Sequence, residues 1–366
     1  MIEMELKKEL IEEKKRKKLI DDESKLGFGI YFTDHMFSMK YSEAKAKEKD
    51  KGWYDARIHP YAPLVLDPAA IVFHYGQEIF EGLKAYRWKS GEIYLFRPMK
   101  NLERMQASAE RLVMQPFDKD FVLDAMKELV KIEKDWVPRS PMTSLYIRPT
   151  YIGTKPILGV QPSTEYLFYI ILSPVGAYYS TGFNPVKILV EENYVRAAPG
   201  GVGFTKAGGN YASSLLAAKK AHDSGCTQVL WLDAAQHKYV EEVGTMNQFF
   251  VINDKILTAP LTGSILPGVT RDSILVMAKD YGYKVEERQV SIDEVITASE
   301  NGTLTEAFGT GTAAVVTPVG ELIYKGKHMV INGGKVGKIT QRFYDDLVAI
   351  QYGTKKDPYD WLVKVC

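Results

Sequence analysis

Lys206 stands in the string FTKAGGNYA, a primary amine set among small residues, with Gly208 and Gly209 allowing close backbone approach and Tyr211 opening a helix. Three further segments of the same half of the chain carry matching chemistry. YVEEVGTMNQF puts the acidic pair Glu241 and Glu242 on an apolar strand ahead of Gly244, Thr245 and Asn247. LPGVTRDSILVMAKDYG sets Pro267 and Gly268 before a helix whose N-cap is expected at Thr270, leaving backbone N–H groups pointing outward, where an anion binds. FGTGTAAVV takes two Gly-Thr steps into a β-branched strand, a turn that offers hydroxyls and amides to an anion. Each segment has an ordinary meaning when alone: a surface lysine, solvent-facing acids, a helix end that meets water, a plain turn. Together the four look like parts of a site for a phosphate-bearing cofactor rather than of a core.

Elements must position these residues. From Gly27 to Val175, strand-like runs (GFGIYF, IVFHY, GLKAYRW, EIYLFR, SLYIRPTYIG, TEYLFYIIL) alternate with two helical patterns, NLERMQASAERL and FVLDAMKELVKIEKDW, which predicts an α+β domain. Lys89, Ser90 and Gly91 lie between two alternating strands and predict a hairpin turn. Pro, Gly and Ser cluster around aromatics at residues 173–187, read as the interdomain linker. Beyond it come a strand, the glycine-rich patch around Lys206, a helix over YASSLLAAKKAHDSG, more strands, a helix over TRDSILVMAKDYG and a last helix near KITQRFYDDLVAI. The expected organisation is a charged arm at 1–25, a solvated helix or frayed; a small α+β domain at 26–172; the linker; and a large domain at 188–366. The fold class is α+β / α/β with two domains.

Composition agrees with an enzyme of small ligands. The chain has 366 residues, 45% hydrophobic and 25% charged, enough for one or two substantial cores. A net charge of +1 leaves no field for nucleic acid or an anionic membrane. Two cysteines, Cys226 and Cys366, are too few and too far apart for a disulfide framework or a metal spacing, so a reducing, cytoplasmic setting and no metal are expected. The N-terminus mixes acids with bases and lacks an apolar signal core. The longest apolar-rich run, Leu167 to Tyr179, falls short of the roughly 20 residues that span a bilayer.

The four segments resemble, nearly letter for letter, the motifs of the branched-chain aminotransferases among the fold-type IV pyridoxal-phosphate enzymes. The likeness continues through FHYGQEIFEGLKAYR, FRPMKNLERM, LYIRPTYIGTKPILGVQP and SPVGAYY, in that family's order and spacing. It implies the D-amino-acid aminotransferase-like fold and transamination between leucine, isoleucine or valine and 2-oxoglutarate, by a ping-pong route on pyridoxal 5'-phosphate. Lys206 would form the Schiff base and shuttle the proton, and Glu242 would hold the pyridine nitrogen protonated. Glu241, taken to alternate to the opposite strand face, receives no role.

The resemblance further implies that Tyr211 hydrogen-bonds the cofactor's phenolic oxygen and that Arg104, the Val269 amide, Thr270 and Thr312 hold its phosphate. Tyr75, Thr245 and the Ala313 amide would meet the substrate α-carboxylate, while Phe80, Tyr146 and Tyr178 line an apolar pocket. Leu158 and Val160 would come from a second subunit of a homodimer. Arg148 would accept the side-chain carboxylate of glutamate, so that one mostly apolar pocket takes both substrate types. The alternatives are D-amino-acid aminotransferase, aminodeoxychorismate lyase, or a silent relative that binds the cofactor without turnover. EVGTMN and YIRPTYIG speak against the first two, and Lys206, Glu242 and Tyr211 against the third.

Overall fold

The computed structural model describes residues 4–46, 52–176 and 182–366. The described residues form two units: those of Met1–Tyr178, Thr205–Gly208 and Ile350–Cys366 make the first, and those of Tyr179–Phe204 and Gly209–Ala349 make the second. Compared with a split at 26–172 and 188–366, the first unit also takes in the N-terminal segment and two segments from beyond the linker, the latter each with a cause. Residues 350–366 return to the first unit because Leu362–Lys364 pairs antiparallel with Ile93–Phe96, and the ring of Trp361 meets that of Phe96 edge-on at 5.5 Å. Thr205–Gly208 joins it because the Phe80 N–H donates to the Lys206 carbonyl at 3.0 Å and Ala207 is buried in that unit's core. The expected linker also shrinks, since one strand runs on to Val175 and the next begins at Val186.

In the first unit the sheet order is Lys7–Lys8, Trp53–Pro60, His35–Ser42, Glu165–Val175, Ser144–Gly153, Leu83–Arg87, Ile93–Phe96 and Leu362–Lys364, with Glu78–Phe80 added along Ser144–Gly153. Gly91, at φ +94°, turns the hairpin between Leu83–Arg87 and Ile93–Phe96. One face of the sheet buries Phe37, Tyr151, Tyr166 and Phe168 against two helices, Pro98–Arg111 and Lys119–Ile132, which contribute Leu102, Met105, Met126 and Leu129. Within each helix these residues are three apart, the spacing of a one-sided apolar stripe. Asp118 caps the second helix by accepting from the Asp120 and Phe121 amides.

Where it is described, the N-terminal segment is not a frayed arm, and its only helical turns are the short 3-10 pieces Glu13–Lys15 and Glu23–Lys25. Lys7–Lys8 pairs in parallel with Arg57 and Ile58, the Ile11 N–H donates to His35 Nε2 at 3.0 Å, and the Lys17 N–H donates to Asp34 Oδ1 at 2.9 Å. His35 in turn is bonded through Nδ1 to the buried Glu133 carboxylate. An open sheet edge and two buried side-chain acceptors order a segment whose own composition is that of a solvated chain.

In the second unit the order is Val240–Val243, Gln228–Leu232, Val186–Val190, Val315–Tyr324, Leu304–Gly311, Met246–Ile252, Lys255–Thr258 and Lys284–Glu287, with Lys327–Val330 on Val315–Tyr324. An added pairing of Val240–Val243 with Met246–Ile252 closes six of these strands into a ring. The helix expected after Lys206 is broken into Gly208–Ala212 and Leu215–Asp223, and Ile292–Glu300, absent from the sequence reading, forms behind Ser291, which accepts from the Glu294 amide. Among the described residues no helix is long and apolar enough to cross a membrane.

Trp361 stacks on Tyr359 at 4.2 Å, lies under the Arg97 guanidinium at 4.8 Å, and its carbonyl accepts from the Arg97 N–H at 2.8 Å. Trp361→Ala removes this buried anchor of the returning strand and is expected to cost roughly 3–5 kcal/mol, the usual range for a buried Trp truncation. Urea unfolding followed by far-ultraviolet circular dichroism tests it; an unaltered midpoint would mean the strand holds without the ring.

Candidate active site

In the first unit the strand register assembles one face. Phe80 lies opposite Thr150, and Tyr146 and Arg148 follow on the same side of Ser144–Gly153 by the two-residue period. Above this face Lys206 places its amine 4.8 Å from the Phe80 ring centroid. The Arg148 guanidinium stacks 4.7 Å from Phe80 and 5.2 Å from Tyr146, and Nη2 donates to the Tyr146 hydroxyl at 3.2 Å. Gly82 is required here, because a Cβ built on it would come within 1.9 Å of the Tyr146 hydroxyl oxygen.

The Lys206 backbone is fixed at both ends, its N–H donating to Ser108 Oγ at 3.1 Å and its carbonyl accepting from Phe80. Burial of the amine, helped by the positive charge of Arg104, pushes its pKa down to about 8, against the pull of Glu81. Roughly a tenth of the amine is then neutral at pH 7, against well under a thousandth for an ordinary lysine.

Arg104 is itself held by a carboxylate. Its Nε donates to Glu81 Oε1 at 2.7 Å and its Nη2 to Glu81 Oε2 at 2.8 Å, a two-pronged, charge-assisted pair, while Asn101 Nδ2 donates to Oε2 at 2.8 Å. Burial pushes the Glu81 carboxyl up, but the Arg104 guanidinium, the Lys206 ammonium and the Asn101 amide outweigh it and hold the group below the usual carboxylate range.

The second unit supplies an anion, a helix start and a turn. Glu242 is buried; its Oε1 accepts from the Leu266 N–H at 2.7 Å, and its Oε2 faces Arg196 Nε at 3.2 Å. The Leu266 carbonyl accepts from Asn247 Nδ2 at 2.9 Å, so one residue of the SILPG segment is held from both sides. That segment runs straight into the helix Val269–Asp280, whose N-cap is Gly268, two residues before the expected Thr270, and which has no side-chain cap. An added Cβ at Gly268 would lie 2.0 Å from Asn247 Oδ1, so the Asn247 amide that holds Leu266 would have to move. Thr312 and Ala313 form the turn between Leu304–Gly311 and Val315–Tyr324, and Thr310 beside it has a buried hydroxyl without a hydrogen-bond partner among the described residues.

The other expected residues fall as follows. Tyr211 lies in Gly208–Ala212, and Thr245 is exposed at the turn from Val240–Val243 into Met246–Ile252. Tyr75 ends a short helix and donates its hydroxyl to the Leu158 carbonyl. Leu158 and Val160 are 65% and 83% exposed, large values for apolar side chains. Tyr178 lies outside the described residues.

Sequence reasoning missed Glu81, Arg196 and Ser264, and it set Glu241 aside. Glu241 is buried, not solvent-facing: it accepts from Ser264 Oγ, and burial raises its carboxyl despite the Ser264 bond and the nearby Arg196. A signal for Glu81 was present, a lone acid inside the apolar run IFEGL. Arg196, in NYVRAAPGG, carries no comparable mark.

The residues fit a phosphorylated pyridine aldehyde. The first unit offers a partly neutral amine, and the second offers a buried carboxylate, an uncapped helix N-terminus and an orphaned hydroxyl next to a Gly-Thr turn, each a group of the kind such a ligand requires. The family model described as amino-transferase class IV matches residues 78–322. The chain is 54% identical over 345 residues to "Branched-chain-amino-acid transaminase 1" of Bacillus subtilis (strain 168), covering 94% of this chain and 95% of the relative. Among solved structures, the Escherichia coli branched-chain amino acid aminotransferase superposes with a TM-score of 0.73 at 28% identity, over 84% of this chain and 97% of that one. The T.th. branched-chain amino acid aminotransferase with pyridoxamine 5'-phosphate gives 0.72 at 29% identity, over 84% and 96%.

With the amine titrating at about 8, acetic anhydride should acetylate Lys206 half-maximally near pH 8 in the absence of any carbonyl ligand. An ordinary lysine reaches that point at about 10.4. Peptide mass spectrometry across pH 6–11 reads the profile, and a Lys206 signal still climbing at pH 10 would show that the amine is solvated.

Proposed function

The chain belongs to the class IV amino-transferases as a branched-chain-amino-acid transaminase of fold-type IV with pyridoxal 5'-phosphate as cofactor, and we propose that it passes the amino group of leucine, isoleucine or valine to 2-oxoglutarate, with Lys206 carrying the cofactor. The observation that carries this reading is the setting of Lys206: an amine brought down to about 8, over the Phe80 ring, in the electrostatic reach of Arg104, Arg148 and Glu81.

When bound, the cofactor supplies an electron sink for the pair left at the substrate Cα as its proton departs. The chain's own residues do the rest. Lys206 Nζ would hold the cofactor and would carry the proton taken from the substrate Cα, work suited to a base poised near the operating pH. Glu242 holds a proton on the ring nitrogen by opposing it with an anion. The amides at the start of Val269–Asp280, with Thr270 and Thr312, hold the phosphate, and Arg104, itself paired with Glu81, adds positive charge. Tyr211 donates to the phenolic oxygen.

Tyr75, Thr245 and the Ala313 amide receive the α-carboxylate. Phe80 and Tyr146 enclose the side chain, and Arg148 meets the γ-carboxylate of glutamate. Stacking on two aromatic rings keeps that guanidinium compatible with leucine, because an aromatic-backed cation presents less bare charge to an aliphatic neighbour. The exposure of Leu158 and Val160 supports a homodimer in which each chain lends them to the other's pocket. A cytoplasmic setting agrees with two unpaired cysteines.

Lys206→Ala should lower the transamination rate by at least roughly 10²–10⁴, the worth of general acid–base assistance. Near wild-type turnover in a coupled assay would remove the lysine from the mechanism. Arg148→Ala should reduce kcat/KM for glutamate and 2-oxoglutarate about 30-fold or more, the lower end for truncating one partner of a charge pair, with only a few-fold loss for leucine. Equal losses on both substrate types would mean that Arg148 shapes the pocket without reading the γ-carboxylate.

A further inference from the structure

Arg196 is nine-tenths buried and joins three separate stretches of the second unit. Its Nη2 donates to the Gly203 carbonyl at 2.9 Å and also to the Ser264 carbonyl, while Nε faces Glu242 Oε2 at 3.2 Å. The backbone it grips is close-packed, since a Cβ built on Gly203 would fall 2.3 Å from the Ser264 carbonyl oxygen. Ser264 begins the SILPG strut, whose Leu266 amide binds the other oxygen of Glu242 and whose end is the start of Val269–Asp280. One guanidinium therefore fixes both the carboxylate and the strut that carries the helix N-terminus.

Arg196 has no place in the assignments made so far. We infer that it is a positioning residue for the ring-nitrogen contact: by pinning Glu242 and Ser264 together, it fixes the orientation of the Glu242 carboxylate relative to the phosphate-binding end of Val269–Asp280. The inference rests on the reading that Glu242 opposes the ring nitrogen. Charged groups near the Glu242 carboxylate include Arg196 and Glu241, with Asp233 next to Glu241. Both oxygens of Glu242 thus face donors, an arrangement that suits the anion, which is acceptor-only. Without Arg196, a buried carboxylate loses its counter-charge, and the Ser264 end of the strut loses the guanidinium that grips it.

The test uses cofactor-loaded protein and two readouts other than turnover: the pH midpoint of the bound cofactor's visible absorption band, and cofactor affinity after resolution and reconstitution. A ring nitrogen that loses its proton withdraws electrons less, so the proton reported by the band is held to higher pH. Glu242→Gln should move the midpoint up by about one pH unit, the lower end of what a nearby charge does to a pKa. Arg196→Met should move it the same way by roughly half as much, and should weaken cofactor binding about tenfold, as expected when a buried counter-charge is lost. Arg196→Lys keeps the charge but loses the fork, and its shift should lie between wild type and Arg196→Met. If Arg196→Met does not fold, a shift of Arg196→Lys in the direction of Glu242→Gln carries the test alone. Arg196 variants with the wild-type midpoint, alongside a shifted Glu242→Gln, would overturn the inference and leave the Glu242 reading intact. An unshifted Glu242→Gln would overturn both.

Discussion

Moving a carboxylate from water into a protein interior costs several kcal/mol, and only a matching charge with well-made hydrogen bonds offsets it. Each unit carries such a carboxylate among its candidate functional residues. Glu81 is fully buried and answered by Arg104, and Glu242 is buried and answered by Arg196. Much else follows from keeping these pairs dry and aligned. Glu81 leaves the strand Glu78–Phe80 in the same extended run that lays Phe80 under the Lys206 amine, and Gly82, the next residue, makes room for Tyr146. In the second unit, Glu242 sits on a strand that closes the ring of the sheet, where the Leu266 amide donates to it.

The first unit surrounds a single amine with unequal charges, and that inequality sets its chemistry. Arg104 and Arg148 lower the proton affinity of Lys206, while Glu81 raises it and is mostly spent on Arg104. Arg148 is turned toward aromatic rings and a phenol instead of a strong anion. A cation held in this way stays available to a ligand that brings a carboxylate. Glu78 lies along the same sheet edge, where burial raises its carboxyl against the pull of Arg148. A carboxyl that gives up its proton less readily competes less for the guanidinium.

The residues legible in the sequence are those whose neighbours are unusual. Lys206 among glycines, Glu242 ahead of GTMN and the Gly-Thr steps are compositional signals, because close backbone approach and tight turns demand small residues. The pairings of Glu81 and of Arg196 were illegible, since nothing in a linear string reports that two charges distant in sequence will meet in a dry interior. The helix start was misplaced by two residues for a local reason: Gly268 is the cap, where a threonine three residues after a proline looks equally suitable. Glu241 shows the limit of the alternation rule. It is the strand neighbour of Glu242, but the face it takes is also buried, so opposite did not mean solvent. The return of 350–366 to the first sheet and the docking of the N-terminal segment are long-range pairings, which a period-two pattern over so short a strand cannot announce.

The connectivity of the first unit bears on how the protein is made. Ile93–Phe96 finds its last partner only in Leu362–Lys364, and the whole of Gly209–Ala349 is synthesised in between. At roughly 5–20 residues per second, that interval lasts on the order of ten seconds or more. Throughout it the nascent chain displays a strand edge with unpaired amides and carbonyls, and Phe96 lacks the indole that covers it in the finished molecule. A polypeptide released before Trp361 would carry that edge into solution permanently, ready to pair with the same edge of another truncated copy.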